Sequence, residues 1–122
     1  MTRSCTVVAL SSKKSFRRLT ETGDRVRSRS LSLVYRLDDS LDTINVAYSV
    51  GKKVGKAVIR NKVKRRLRSL VREHSNQMPN GDYLVMVSPK VVDRRFTELR
   101  DEMRAILPLG AGRGYGDGEL DV

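Results

Sequence analysis

From Lys52 to Arg72 the chain carries ten basic residues and not one acidic residue. They are Lys52, Lys53, Lys56, Arg60, Lys62, Lys64, Arg65, Arg66, Arg68 and Arg72. Like charges one helical turn apart repel each other. A run of this kind is therefore stable only if its remaining positions bury apolar side chains and an anion screens the outside. The full chain of 122 residues has 25 basic and 14 acidic residues, a formal net charge of +11. Outside the run, 15 basic residues face those 14 acidic ones, so one segment supplies nearly all the excess. That distribution marks a dedicated anion-binding element, with RNA, DNA or an anionic membrane surface as its partner class.

The same segment has a helical period. Between Val54 and Ser75, the residues Ile59, Val63, Leu67, Leu70 and Val71 fall in one stripe at about 100° per residue. Basic side chains occupy most of the remaining circumference. A membrane-surface or calmodulin-type helix needs a bulky apolar face free to meet its partner. This stripe has neither Trp nor Phe.

The other elements are shorter. Lys13 to Thr22 reads as a helix with Phe16 and Leu19 at helical spacing and Gly23 as its stop. Ser28 to Asp38 alternates, with Leu31, Leu33, Tyr35 and Leu37 on one face and Ser30, Ser32 and Arg36 on the other. Asp38 to Asp42 is a turn, and Ile44, Val46 and Tyr48 continue as a second strand, so the pair is expected to form an antiparallel hairpin. Asp82 to Ser88, apolar on both faces, reads as an inner strand. Asp93 is the expected N-cap of a last helix whose core face is Phe96, Leu99, Met103, Ile106 and Leu107, ended by Pro108. The expected architecture is α/β, a two-layer α+β arrangement with a mixed sheet of about four strands and helices packed on it. One domain over 1–108 is followed by a Gly-rich tail at 109–122, read as disordered.

Little else in the composition suggests chemistry. With one cysteine, Cys5, and one histidine, His74, no zinc-type spacing exists. No apolar run approaches the ~18 residues of a membrane span. The expected setting is a soluble, cytoplasmic one. No paired carboxylates and no Ser/His/Asp set suggest a catalytic centre, so no catalytic residue and no metal ligand is assigned.

The segment from Gly51 to Arg68, Gly-Lys-Lys-Val-Gly-Lys-Ala-Val-Ile-Arg-Asn-Lys-Val-Lys-Arg-Arg-Leu-Arg, closely resembles the signature of the bacterial ribonuclease P protein family. Looser agreement extends over roughly residues 10 to 108. The resemblance implies an α/β fold like the second domain of ribosomal protein S5, with an unusual left-handed βαβ crossover through the basic helix. It implies two partners, ribonuclease P RNA and precursor tRNA, with no protein partner required. It also implies removal of the 5′ leader from precursor tRNA, with Mg2+ at the RNA active site and no cofactor held firmly by the protein. The ten basic residues and Asn61 then form the RNA-binding surface.

A second surface, the family's cleft for the single-stranded leader, is expected at Phe16, Arg17, Arg18 and Tyr35. Phe16 reads equally as a base-stacking ring and as a core residue. Thr20 stands where relatives carry a second aromatic, and Val34 where a strand aromatic is common, leaving Tyr35 one residue out of phase. Gly55 reads either as a helix-start glycine or as a point of close RNA approach. The runner-up reading is another RNA-binding protein, such as a ribosomal protein or RNA chaperone, on a related fold.

Overall fold

A computed structural model of the chain describes residues 6–109. Cys5 and nearly all of the Gly-rich tail lie outside the described residues.

In the first helix, α1 (Lys13–Thr22), the Ser12 hydroxyl oxygen accepts the Ser15 N–H at 3.2 Å, which fixes where the helix starts. It stops where Gly23 turns to extended backbone (φ −73°, ψ 157°), at a position with room for glycine alone. A Cβ there would stand 2.5 Å from the Leu19 carbonyl oxygen and 2.9 Å from Val34 Cγ1. Before α1, Thr6–Ala9 forms strand β1, and after it Asp24–Arg27 forms β2. Neither is among the expected strands. β1 is four residues long, and β2 is a charged edge strand of the kind that resists unwanted pairing. The sheet therefore has five strands rather than about four.

Three further strands follow: β3 (Leu31–Leu37), β4 (Thr43–Ser49) and β5 (Gly81–Val87), with helix α2 (Ala57–His74) joining the last two and α3 (Phe96–Ile106) closing the fold. The spatial order is β1-β4-β5-β3-β2. The hairpin expected between β3 and β4 does not form, because β5 lies between them, antiparallel to β3 and parallel to β4. Their connecting turn passes the start of β5 and is tied there. The Asp38 N–H donates to the Asn80 carbonyl at 3.0 Å, and Asn80 Nδ2 donates to the Leu41 carbonyl at 2.8 Å. β5 satisfies its backbone on both sides and is buried from Gly81 to Val85, as an inner strand should be.

The two faces of the sheet carry different cores. Toward α2 and α3 lie Leu31, Leu33, Ile44, Val46, Tyr83 and Val85, packed on Val63, Leu67, Leu70, Leu99 and Met103. Toward α1 lies a small cluster of Leu19, Val34 and Leu84. The β3 alternation therefore hides a second buried position, Val34, and its last expected core residue, Leu37, is 40% exposed.

The handedness of the β4–α2–β5 crossover follows from backbone stereochemistry. In an L-residue whose side chain faces the viewer and whose strand runs upward, the carbonyl and N–H point right. Val46 faces α2, and its carbonyl accepts the Leu10 N–H just beyond β1 at 3.1 Å. Seen from α2, β1 is thus to the right of β4 and β5 to the left. A strand that crosses in front of the sheet and returns on the left is a left-handed crossover, against the usual rule.

The N-terminus of α3 differs from expectation. Asp93 closes a short 3-10 turn, Pro89–Asp93, and Arg95 precedes the helix. The Arg95 backbone N–H donates to Glu98 Oε1 at 2.8 Å, so the capping carboxylate comes from inside the helix. The buried Glu102 anchors α3 to the loop before β3. Its carboxylate accepts from the Ser28 and Ser30 hydroxyls, from the Ser30 N–H at 2.6 Å and from Arg94 Nε at 3.1 Å.

Candidate nucleic-acid interface

The lead-in to the basic helix is built around one glycine. Lys52–Val54 forms a 3-10 turn, and buried Val54 pins it to the core. Gly55 follows with φ of 152°, a conformation that L side chains rarely adopt. The α-helix therefore starts at Ala57, three residues after the sequence suggests, with Lys56 as its N-cap residue and no side chain capping it. Arg60 Nε reaches back to donate to the Gly55 carbonyl at 3.2 Å. Lys52, Lys53 and Lys56 stay exposed around this turn. The uncapped N–H groups and the positive end of the helix dipole favour an anion among them.

Ile59 leaves the inner stripe assigned to it. Side chains in the first turn of α2 stay exposed, and Ile59 is 37% exposed, while burial starts at Val63 and continues through Leu67, Leu70 and Val71. His74, also inward, is buried with Nδ1 2.8 Å from the Leu70 carbonyl oxygen. That packs the histidine as a core residue.

With this stripe inward, the 100° advance per residue sorts the charges. Arg60, Lys64, Arg68 and Arg72 fall along the flank toward β1. Asn61 and Arg65 ride the crest, both exposed. Lys62 and Arg66 fall on the flank toward α3, where Glu73 binds Arg100 through two hydrogen bonds of 2.7 and 3.1 Å. The first acid after the basic run is thereby taken by a cation of α3. Among the described residues, none of the ten basic side chains has an ion-pair partner.

The β1 flank borders a groove of about 540 Å³. Lys64, Arg68 and Arg72 form one wall, Val7 to Leu10 the other, and Val46 and Tyr48 the floor. Burial pushes the Tyr48 phenol up to about 12, with Arg68 and Arg72 pulling against it. The hydroxyl is therefore neutral and able to donate at physiological pH.

The leader-cleft residues separate. Phe16 is 42% exposed and outside both core clusters, beside a shallow depression shared with Leu10, Lys13, Arg17 and Thr20. Arg17 and Arg18 are exposed nearby. Tyr35 is not among them. It lies on the opposite face of the sheet, stacked on Tyr83 with ring centroids 6.2 Å apart. The strict alternation of β3 places Val34, not Tyr35, on the α1 side, so the one-residue phase shift in the sequence is a change of face. Arg25 and Arg27 of β2 lie beside Ser32 and Met86, on the open sheet next to α1. Neither arginine is among the residues expected from sequence; their alternation just before a strand was the available signal.

Among the described residues no three His, Cys, Asp or Glu side chains converge as a metal site. No described helix is long and apolar enough to cross a membrane.

Residues 6–108 match the Ribonuclease P family. The ribonuclease P protein component of Streptococcus thermophilus is 35% identical over 97 residues, covering 80% of this chain and 86% of that protein. That of Syntrophomonas wolfei is 37% identical over 75 residues, 62% of each chain. Among solved structures, the Staphylococcus aureus RNase P protein superposes with a TM-score of 0.73 at 23% identity, covering 80% of this chain and 90% of that one. The Thermotoga maritima RNase P protein, solved in complex with 1-(4-fluorophenyl)-2-thiourea, gives 0.70 at 25% identity, covering 78% and 92%. A family match across nearly every described residue, joined to 35% identity over four-fifths of the chain, establishes that this protein belongs to the ribonuclease P protein family.

Proposed function

We infer that the chain is the protein component of ribonuclease P and acts with the catalytic RNA to mature the 5′ end of tRNA. The observation that carries this reading is a basic helix without one internal ion pair, held by its inner stripe so that its outer surface faces solvent. Folded RNA presents closely spaced phosphates, and Arg and Lys bind them while releasing condensed counterions. Arg65 and Arg68 bind phosphate through a planar fork, and the lysines act as point charges. Asn61, one turn before Arg65 on the crest, can donate to a phosphate or a 2′-hydroxyl and accept from a base.

Precursor tRNA is the second partner in this reading. Its single-stranded leader would stack on Phe16 and run over the open sheet, with Arg17, Arg18, Arg25 and Arg27 meeting its phosphates. Mg2+ held by the RNA supplies the hydrolytic chemistry. The chain's own part is to bind the RNA and to hold the leader in register.

The rival reading is a general RNA-binding protein on the same fold. The two separate in a binding competition. The purified protein should prefer ribonuclease P RNA to a ribosomal RNA fragment of equal length by at least tenfold at physiological salt. Equal affinity for the two would favour the general RNA binder.

A further inference from the structure

The groove between β1 and α2 differs from the rest of the basic surface. The crest of α2 is convex and suits a phosphate backbone passing over it. The groove is concave, with cations on one side and apolar groups on the other. Lys64, Arg68 and Arg72 stand one turn apart, about 6 Å along the axis, which is comparable to the separation of successive phosphates in one strand. No acidic side chain lines the groove, and none of these three cations is paired among the described residues. Across from them, Val7 and Ala9 of β1 face the same side as Ile44 and Val46, their register partners. Tyr48 closes the floor, and its hydroxyl has no hydrogen-bond partner among the described residues. The volume, about 540 Å³, lies within the ~300–1,000 Å³ range of small-ligand sites.

We propose that this groove takes an unpaired RNA nucleotide, with its phosphates on Lys64, Arg68 and Arg72 and its base against Val7, Ala9 and Tyr48. An apolar floor has no use for a phosphate, and a cationic wall has no use for an apolar peptide. An extruded or single-stranded nucleotide presents both chemistries at this spacing, and unpaired bases are where proteins read RNA. A continuous duplex buries its bases and cannot fill the groove. The proposal rests on α2 binding RNA, but it adds that α2 engages two kinds of RNA feature. Paired backbone meets its crest, and an unpaired nucleotide meets its β1 flank.

Ala9→Phe tests this by filling the groove while leaving every charge in place. The site is exposed at the sheet edge, and circular dichroism checks that the variant folds. Phe16→Ala serves as the background in both arms, so that stacking at α1 does not contribute. The probes are an eight-nucleotide oligo(A) RNA and a blunt RNA duplex of the same length. In methyl NMR the Val7 resonances should shift with oligo(A) and stay fixed with the duplex. By fluorescence anisotropy, Ala9→Phe should weaken oligo(A) binding about tenfold and duplex binding less than twofold. Val7 methyls that stay fixed at saturating oligo(A), or equal weakening of both probes, would overturn the proposal. Preference for ribonuclease P RNA over ribosomal RNA could persist in either case, so the two readings fail separately.

Discussion

Arg60 Nε donates to the Gly55 carbonyl oxygen across 3.2 Å, so the first arginine of the basic helix also closes the turn that launches it. Gly55 holds a φ of 152°, and a Cβ there would meet the Ile59 side chain at 3.1 Å. Gly55→Ala should therefore cost about 1–3 kcal/mol of stability from backbone strain, read by urea denaturation. It should also weaken RNA binding, because Lys52, Lys53 and Lys56 are placed by this turn. Arg60→Lys keeps the charge and loses this guanidinium contact. It should lower RNA affinity more than Lys62→Arg does.

Arg65 and Arg68 are exposed and have no ion-pair partner among the described residues, so their loss is expected to affect binding and not folding. Arg65→Ala and Arg68→Ala should each reduce the slope of log affinity against log salt by about 1. Thermal midpoints should stay within about 2 °C of the parent. A large fall in the midpoint would mean that these side chains serve the fold.

The basic helix was legible because two periodic signals coincide there, charge without acids and an apolar stripe of Val63, Leu67, Leu70 and Val71. α1 was legible to the residue because Ser12 and Gly23 bracket it. Ile59 was misplaced because periodicity tells which way a side chain points but not whether anything covers it. The β3–β4 hairpin was misread for a related reason. Turn chemistry at Asp38–Asp42 joins the strands in sequence, and nothing local shows that β5, forty residues later, will come between them. Tyr35 failed by one residue, which in a strand is a whole face.

Phe16 and Tyr35 should now behave differently. Phe16→Ala should impair binding of leader-bearing precursor tRNA and leave mature tRNA binding and stability unchanged. Tyr35→Ala removes a ring stacked on buried Tyr83 and should lower stability by about 1–3 kcal/mol. Its effect on precursor and mature tRNA should be equal. A leader-specific defect in Tyr35→Ala would return that residue to the cleft.

The Glu102 carboxylate gives the fold an acid limit. Burial pushes its pKa up, but hydrogen bonds from Ser28 and Ser30 and the Arg94 charge outweigh this and hold it below the usual 4.5. A depressed folded-state pKa stabilises the fold above the unfolded value and loses that stabilisation as pH falls through the folded one. Unfolding free energy should thus be flat near neutrality and decline below about pH 4.5. Glu102→Ala should cost about 3–5 kcal/mol at pH 7, and Glu102→Gln should flatten the acid limb. An unchanged acid limb in Glu102→Gln would assign the acid sensitivity to other carboxylates.

Cleavage of precursor tRNA is the decisive measurement of whether the chain serves ribonuclease P. Purified protein is added to a bacterial ribonuclease P RNA at a magnesium concentration where the RNA alone is nearly inactive. Precursor tRNA with a labelled 5′ leader is the substrate. Cleavage at the mature 5′ end should be restored, and should be lost together with RNA affinity in a combined Arg65→Ala and Arg68→Ala variant. No stimulation by the parent protein across a range of salt and magnesium concentrations would contradict that role.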